Sequence, residues 1–272
     1  LVDEFKKLDL EPGNPSGEFT QRVNMLGVKS FVRTQFINDE ERWAMKTGID
    51  IIGNSYLNQK KINLEKVDIV FWGYGVYAPE YEWDDYKDID VKGKIVVVLV
   101  NDPPIMNGSN FDPSMFKGNA MTYYGRWSYK YEEALRRGAA GAIVIHETGP
   151  AGYPFSVLQS GHNAEHLTIE NKSSLQFEGW IPLKTAKRLF AMSGTTFTDM
   201  KKKSLSKTFK PEVLNVKFIS RISNTFRNVS SENVVAKIPG NDPVLKDEYI
   251  IYTAPWDHLG SNNKLSDDKV YN

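Results

Sequence analysis

Val91-Lys92-Gly93-Lys94-Ile95-Val96-Val97-Val98-Leu99-Val100 is the stretch on which the fold reading turns. Val91-Lys92-Gly93 turns into a near-continuous β-branched run, the pattern of a strand buried on both faces. Further along, Trp127, Tyr131, Ala134 and Leu135 fall at helical spacing, with Lys130, Glu132, Glu133, Arg136 and Arg137 mostly opposite. Gly138 stands where a glycine beyond the last helical residue would end that helix. Ala139-Ala140-Gly141 then leads tightly into the apolar run Ala142-Ile143-Val144-Ile145. Strand, helix and strand in that order predict a βαβ-like unit and a mixed α/β fold.

Outward from this unit, Val67 to Phe71 and Gly73 to Tyr77 are rich in strand formers. At the front, Leu1, Phe5 and Leu8 share one helical face, and Glu11-Pro12-Gly13-Asn14-Pro15 stops that helix. An extended segment follows over Phe19 to Val32. A second helix is predicted over Pro182 to Met192, with Pro182 in its first turn. Met200 to Lys210 is dense in lysine and reads as a solvated linker at a domain boundary. Beyond it the pattern is all strand: Val213 to Ile222, Asn233 to Ile238 and Tyr249 to Thr253, with a turn at Gly240-Asn241-Asp242-Pro243.

The 34 basic and 34 acidic residues cancel, so no long-range field argues for nucleic acid or an anionic membrane. There is no cysteine, hence neither a disulfide nor a thiolate metal site. No apolar run approaches the ~18 residues of a membrane span. The chain opens at Leu1 without a signal-peptide pattern.

Two blocks carry a resemblance. The first runs Val70-Phe71-Trp72-Gly73-Tyr74-Gly75-Val76, Tyr81-Glu82-Trp83-Asp84-Asp85-Tyr86, Val91 to Val98, and Glu132-Glu133-Ala134-Leu135-Arg136-Arg137-Gly138-Ala139-Ala140-Gly141-Ala142-Ile143-Val144. It closely resembles the protease-associated domain, a β-rich insert found in several peptidase families. Its glycines permit tight turns and close strand approach, and it supplies a scaffold rather than chemistry.

The second block is Ser231-Glu232-Asn233-Val234-Val235-Ala236-Lys237-Ile238-Pro239-Gly240, followed by Tyr249-Ile250-Ile251-Tyr252-Thr253-Ala254-Pro255-Trp256-Asp257-His258-Leu259-Gly260. It resembles the entry to the metal site of the co-catalytic di-zinc aminopeptidases, the family that includes glutamate carboxypeptidase and transferrin-receptor-like proteins. There a strand ends in His-x-Asp; the His binds zinc and the Asp holds its other nitrogen. The resemblance makes Asp257 the orienting carboxylate, a remnant of the catalytic set. The ligand position is Pro255, which has no side-chain donor. His258 lies three residues on, where a loop histidine bonded to backbone is the ordinary outcome. The family's bridging Asp, Glu-Glu pair, further carboxylate and His would follow Asn272, where this sequence stops. Asp267-Asp268 sits in a polar loop and reads as solvated.

His162-Asn163-Ala164-Glu165-His166 puts two histidines at i, i+4, but a zinc helix needs Glu directly after the first. Ser160-Gly161 before it is loop-like, and neither these nor His146 reads as a metal ligand. Asn107-Gly108-Ser109, Asn171-Lys172-Ser173 and Asn228-Val229-Ser230 are sequons whose use depends on the source.

The resemblance implies a β-rich protease-associated domain (about 45–207) inserted into a partial α/β zinc-exopeptidase domain (about 1–44 and 208–272, incomplete). It implies the front portion of a secreted or periplasmic zinc aminopeptidase, with zinc in the intact enzyme, none expected on this chain, and no activity from this chain alone. The alternative is a binding module for a protein or a peptide substrate. Tyr77, Tyr81, Trp83, Tyr86, Tyr123, Tyr124 and Trp127, clustered in loops, suit a partner surface or a lid. No nucleic acid and no membrane span are expected. Self-association through an exposed peptidase-domain surface is.

Overall fold

The computed structural model describes residues 1–87, 89–169 and 173–255. Its elements in chain order are α1 (Val2–Lys7), β1 (Glu11–Pro12), β2 (Thr20–Ile37), β3 (Arg42–Ala44), β4 (Ile52–Asn54) and β5 (Lys61–Phe71). Next come β6 (Tyr77–Ala78), β7 (Trp83–Asp84), β8 (Ile95–Leu99), β9 (Met106–Asn107), β10 (Asn110–Phe111), α2 (Trp127–Arg136) and β11 (Gly141–His146). The rest are α3 (Thr148–Ala151), α4 (Ser156–Ser160), β12 (His166–Ile169), β13 (Phe177–Pro182), α5 (Leu183–Met192), α6 (Phe197–Lys203), β14 (Glu212–Val234) and β15 (Ala236–Lys237). By compactness the chain divides into residues 23–231 and a second unit of 1–22 with 232–272.

The larger unit is mixed α/β around one large mixed sheet, ordered β12-β2-β14-β5-β8-β11-β13-β4, with β3 on β2. The opening stretch lies in its middle. β8 runs parallel to β5 on one side and to β11 on the other, with Ile95 opposite both Ile69 and Gly141. All five of its side chains are buried, as a strand covered on both faces demands. β11 continues the parallel set to β13; β14 on β5, β4 on β13 and β12 on β2 are antiparallel.

Helices cover both faces of these parallel strands. α2 carries Tyr131 and Ala134 onto Val96, Val98, Ala142 and Val144. On the other face α5 and α6 bring Leu189, Phe190 and Met200 into one cluster with Val97, Ile143 and Phe218. The β8–α2–β11 path is the predicted βαβ unit. Gly138 has the expected left-handed backbone, φ +74°. Gly141 is needed for a different reason: a Cβ there would lie 2.6 Å from the Phe177 carbonyl oxygen.

Three expectations change. The lysine-rich stretch is no solvated linker, because it begins as the packed helix α6. Thr196 caps it by accepting from the Asp199 N–H at 3.1 Å, while Phe197 and Met200 are buried. Lys201, Lys202 and Lys203 occupy its last turn, where the helix dipole favours cations. Second, β14 runs unbroken from Glu212 to Val234, absorbing the start of the separate strand expected at Asn233. β2 and β14 thus belong to the sheet, although the expected insert limits near 45 and 207 leave them outside it. Third, Tyr249 to Thr253 forms no strand; Tyr249, Ile250, Ile251 and Tyr252 are 78%, 86%, 78% and 93% exposed. Strand propensity alone does not make a strand, since backbone groups need a partner ladder, and none pairs with this run among the described residues.

The smaller unit holds α1 and the short ladder of β1 with β15, Glu11 opposite Lys237 and Pro12 opposite Ala236. The Gly13 N–H extends it by donating to the Val235 carbonyl at 2.9 Å. Among the described residues no helix is long and apolar enough to cross a membrane.

Candidate functional site

Of the residues expected at a zinc entry, Pro255 alone lies among the described residues. Pro255 lies exposed in coil and offers no donor atom; Asp257, His258, Asp267 and Asp268 fall outside the described residues. Among the described residues no group of three or more His, Asp or Glu could hold a metal ion. No chemistry is routed through zinc here.

The histidines separate. His146 ends β11, 2% exposed, with its ring against Tyr153, Phe155 and Trp180. Burial lowers its pKa. His162 sits in a turn with Nδ1 2.7 Å from the Gln159 carbonyl, and His166 opens β12, edge-on to the Tyr56 ring. Glu165 between them is held by Arg227, whose Nη2 and Nε donate at 2.5 and 3.1 Å.

What the fold does assemble is a groove of about 380 Å³ between α2, the start of β12, the start of β13 and Tyr56. Trp127, Tyr131 and Leu135, spaced i, i+4, i+8, present one flank of α2 to it, with Glu132 beside them. Facing them are His166, Ser174 and Glu178. Tyr131 is fixed at its far end, where its hydroxyl donates to the Gly179 carbonyl at 2.9 Å. The Trp127 ring packs edge-on against Tyr131, with ring centroids 5.9 Å apart, yet stays 52% exposed. Ser174 Oγ donates to Glu178 Oε1 at 2.9 Å. Tyr123 Oη donates to Glu132 Oε2 at 2.9 Å. Burial and then the Glu178 charge push the Tyr56 hydroxyl up to about 12. The His166 Nε2 is shut from solvent and has no hydrogen-bond partner among the described residues.

Sequence reading found Trp127 and Tyr131 as a helical stripe but missed Tyr56, Glu178 and the groove. These residues are far apart in sequence, and only the β13–β11–α2 packing joins them. The loop aromatics split: Trp83 and Tyr86 are core residues, 2% and 4% exposed, whereas Tyr77, Tyr123 and Trp127 remain open to solvent.

A second constellation lies where β5 and β8 end. Lys130, expected on the polar face of α2, is 2% exposed. Its Nζ donates to the carbonyls of Tyr74 at 2.6 Å and Asn101 at 3.1 Å. Burial brings it down to about 8 against the pull of Asp102 and Asp85. Asp85 accepts from the Val76 N–H at 3.0 Å and Trp83 Nε1 at 2.9 Å; burial raises it to about 7. Asp102 takes the Thr122 N–H and hydroxyl at 2.7 and 2.8 Å. With Lys130 and Asp85 this closed to solvent, the cluster clamps loops and is closed to substrate.

No family model and no curated protein matches the sequence. Among solved structures the chain is similar to BSAP, a zinc aminopeptidase from Bacillus subtilis, at 11% identity and a TM-score of 0.30. The match covers 88% of this chain and 40% of that one. At so low a TM-score the likeness carries no argument about fold or activity.

Proposed function

We propose that the chain is the front portion of a zinc-dependent aminopeptidase, with residues 23–231 as its inserted, non-catalytic protease-associated module. The reading rests on the resemblance of the two sequence blocks and is carried by one topological observation. The larger unit begins on β2 and ends on β14, which are neighbours in its sheet. The two flanks, far apart in sequence, pair with each other through β1 and β15. Adjacent ends are what an insertion into another domain requires. In this reading zinc belongs to the intact enzyme, which is secreted or periplasmic, and Asp257 is the surviving second-sphere carboxylate.

Reading the transcript onward from residue 272 tests this. A bridging Asp and a Glu-Glu pair downstream are expected; a stop codon directly after Asn272 would overturn it. Metal analysis of chelator-free protein is expected to find no stoichiometric zinc on residues 1–272, because Pro255 contributes no donor and a stable site needs three or four protein ligands. The alternative, a free-standing binding module, is favoured by the acidic, aromatic groove on α2.

A further inference from the structure

We propose that the outer face of the sheet across β2, β14 and β5 is a binding site for an extended acidic peptide segment, whose carboxylates seat on Arg33 and Lys61. The inference rests on the reading of residues 23–231 as a binding module and names the chemistry of its partner.

Along each of these strands exposed side chains alternate with buried ones, so one face carries the core and the other is open to solvent. Phe31 and Arg33 are open on β2 either side of buried Val32. Lys61, Asn63 and Glu65 are open on β5 around buried Ile62 and Leu64. β14 lies between these strands, with Arg221 opposite Asn63 and Ser223 opposite Lys61. Together they line a concavity of about 760 Å³, to which Thr47 and Asn163 also contribute.

The lining decides the sign of the ligand. It holds three cations, Arg33, Lys61 and Arg221, against one carboxylate, Glu65. Arg221 Nε lies 3.6 Å from Glu65 Oε1, so these two charges largely offset each other. Arg33 and Lys61 have no ion-pair partner among the described residues. Lys29, two residues before Phe31 on the same row of β2, adds a further cation, its Nζ 5.6 Å from the Phe31 ring centroid. In a chain whose 34 basic and 34 acidic residues cancel, such an excess marks this face out.

Spacing and chemistry favour a peptide. β2 and β5 are two strand spacings apart, about 10 Å. An extended chain with carboxylates three residues apart covers that distance, at roughly 3.3 Å per residue. The Arg33 guanidinium can take a carboxylate through two parallel N–H donors. Asn63 and Ser223 offer hydrogen bonds to a peptide backbone between the two charges. Phe31, 53% exposed, gives an apolar side chain of the same peptide a surface. A single-stranded nucleic acid would need a series of aromatic rings for its bases, and among the described residues Phe31 is the only ring in the lining.

Fluorescence anisotropy on the whole chain tests this with three labelled probes: acetyl-Glu-Asp-Ala-Glu-Asp-Ala-amide, its neutral Gln/Asn counterpart and a short oligothymidylate. At low ionic strength the acidic peptide is expected to bind about tenfold more tightly than the neutral one, and to weaken as salt is raised. Arg33→Gln with Lys61→Gln should weaken it about fivefold to tenfold. Lys187→Gln with Lys202→Gln, exposed on α5 and α6, removes the same charge elsewhere and should change it less than about twofold. Glu65→Gln should tighten binding about twofold, a gain that a misfolded variant cannot produce. All these side chains are exposed, so the melting temperatures should stay the same. Equal binding of the neutral peptide, no binding of the acidic one at millimolar concentration, tighter binding of the oligothymidylate, or equal losses in the two double variants would overturn the assignment. None of these outcomes bears on the sequence beyond Asn272, which decides the aminopeptidase reading separately.

Discussion

The Lys130 ammonium donates to the Tyr74 carbonyl at 2.6 Å, joining the middle of α2 to the turn that leaves β5. Because the same nitrogen also reaches Asn101 O beyond β8, one side chain holds the exits of two parallel strands. The geometry explains why a lysine is tolerated at 2% exposure: two carbonyls and two nearby carboxylates replace its water.

Lys130→Met keeps the volume and removes the charge. Both carbonyls lose their donor, and buried Asp85 loses the cation whose charge favours it most. Removing one partner of a buried charged network costs about 3–5 kcal/mol. Urea denaturation at pH 7.5 should show a loss of that order, and a loss below about 1 kcal/mol would show the clamp to be idle.

Asp85 makes stability depend on pH in an unusual direction. Its carboxyl titrates near 7 in the folded chain against 3.8 ordinarily, with burial as the cause. Between these values the folded form keeps a proton that the unfolded form releases, so stability falls as pH rises through this window and then levels off. A shift of this size corresponds to a few kcal/mol at most, at about 1.4 kcal/mol per unit. Asp85→Asn should be less stable near pH 4, because its amide keeps one acceptor oxygen for the two donors, Trp83 Nε1 and the Val76 N–H, and turns an NH2 toward the other, but it should lack the downward slope. Thermal melts from pH 4 to pH 7.5 read both effects; an unchanged slope would place its origin elsewhere.

Two glycines a turn apart should respond differently to alanine. At Gly138 a Cβ meets nothing closer than Lys92 Cγ at 3.5 Å, so the penalty is that of the left-handed backbone alone, φ +74°. That is roughly 1–2 kcal/mol. At Gly141 the added Cβ would lie 2.6 Å from the Phe177 carbonyl oxygen and 2.8 Å from Ile95 Cδ1. Strands β11 and β13 must then separate, and the cost should reach about 3 kcal/mol. Denaturation of both variants gives the order; Gly138→Ala as the costlier change would contradict it.

These positions also mark how far sequence reading reaches. The run Ile95 to Val100, the stripe Trp127–Tyr131–Ala134 and the glycine stop are local patterns with one solution, so the βαβ unit was legible from them. Lys130 and Glu133 were placed on the solvent face of α2 because periodicity assigns charged residues there. They are buried, 2% and 4% exposed, because carbonyls beyond β5 and β8 take the ammonium and Arg136 and Arg137 take the carboxylate. Composition misled at Met200 to Lys210, where averaging over lysines hid the Phe197 and Met200 contacts that make α6 a packed helix. The groove was invisible for another reason: Tyr56, Trp127, His166 and Glu178 share no motif, and their meeting depends on strand order, which no single segment encodes.

The run Tyr249-Ile250-Ile251-Tyr252 should make the chain self-associate. Four consecutive large apolar side chains, each more than three-quarters exposed, present a β-prone surface whose backbone is paired with no strand among the described residues. Such a segment recruits another like it, because pairing satisfies the backbone and removes apolar area from water at once. The formal net charge of zero at pH 7 adds no repulsion to oppose this. Sedimentation velocity at rising micromolar concentration should therefore show a growing share of dimers and larger species. Ile250→Lys with Tyr252→Lys places two charges on the run and should hold the chain monomeric. Because these side chains bury almost nothing, the melting temperature should stay the same. If the parent chain stays monomeric across that range, or the double variant associates as readily, the surface responsible lies elsewhere.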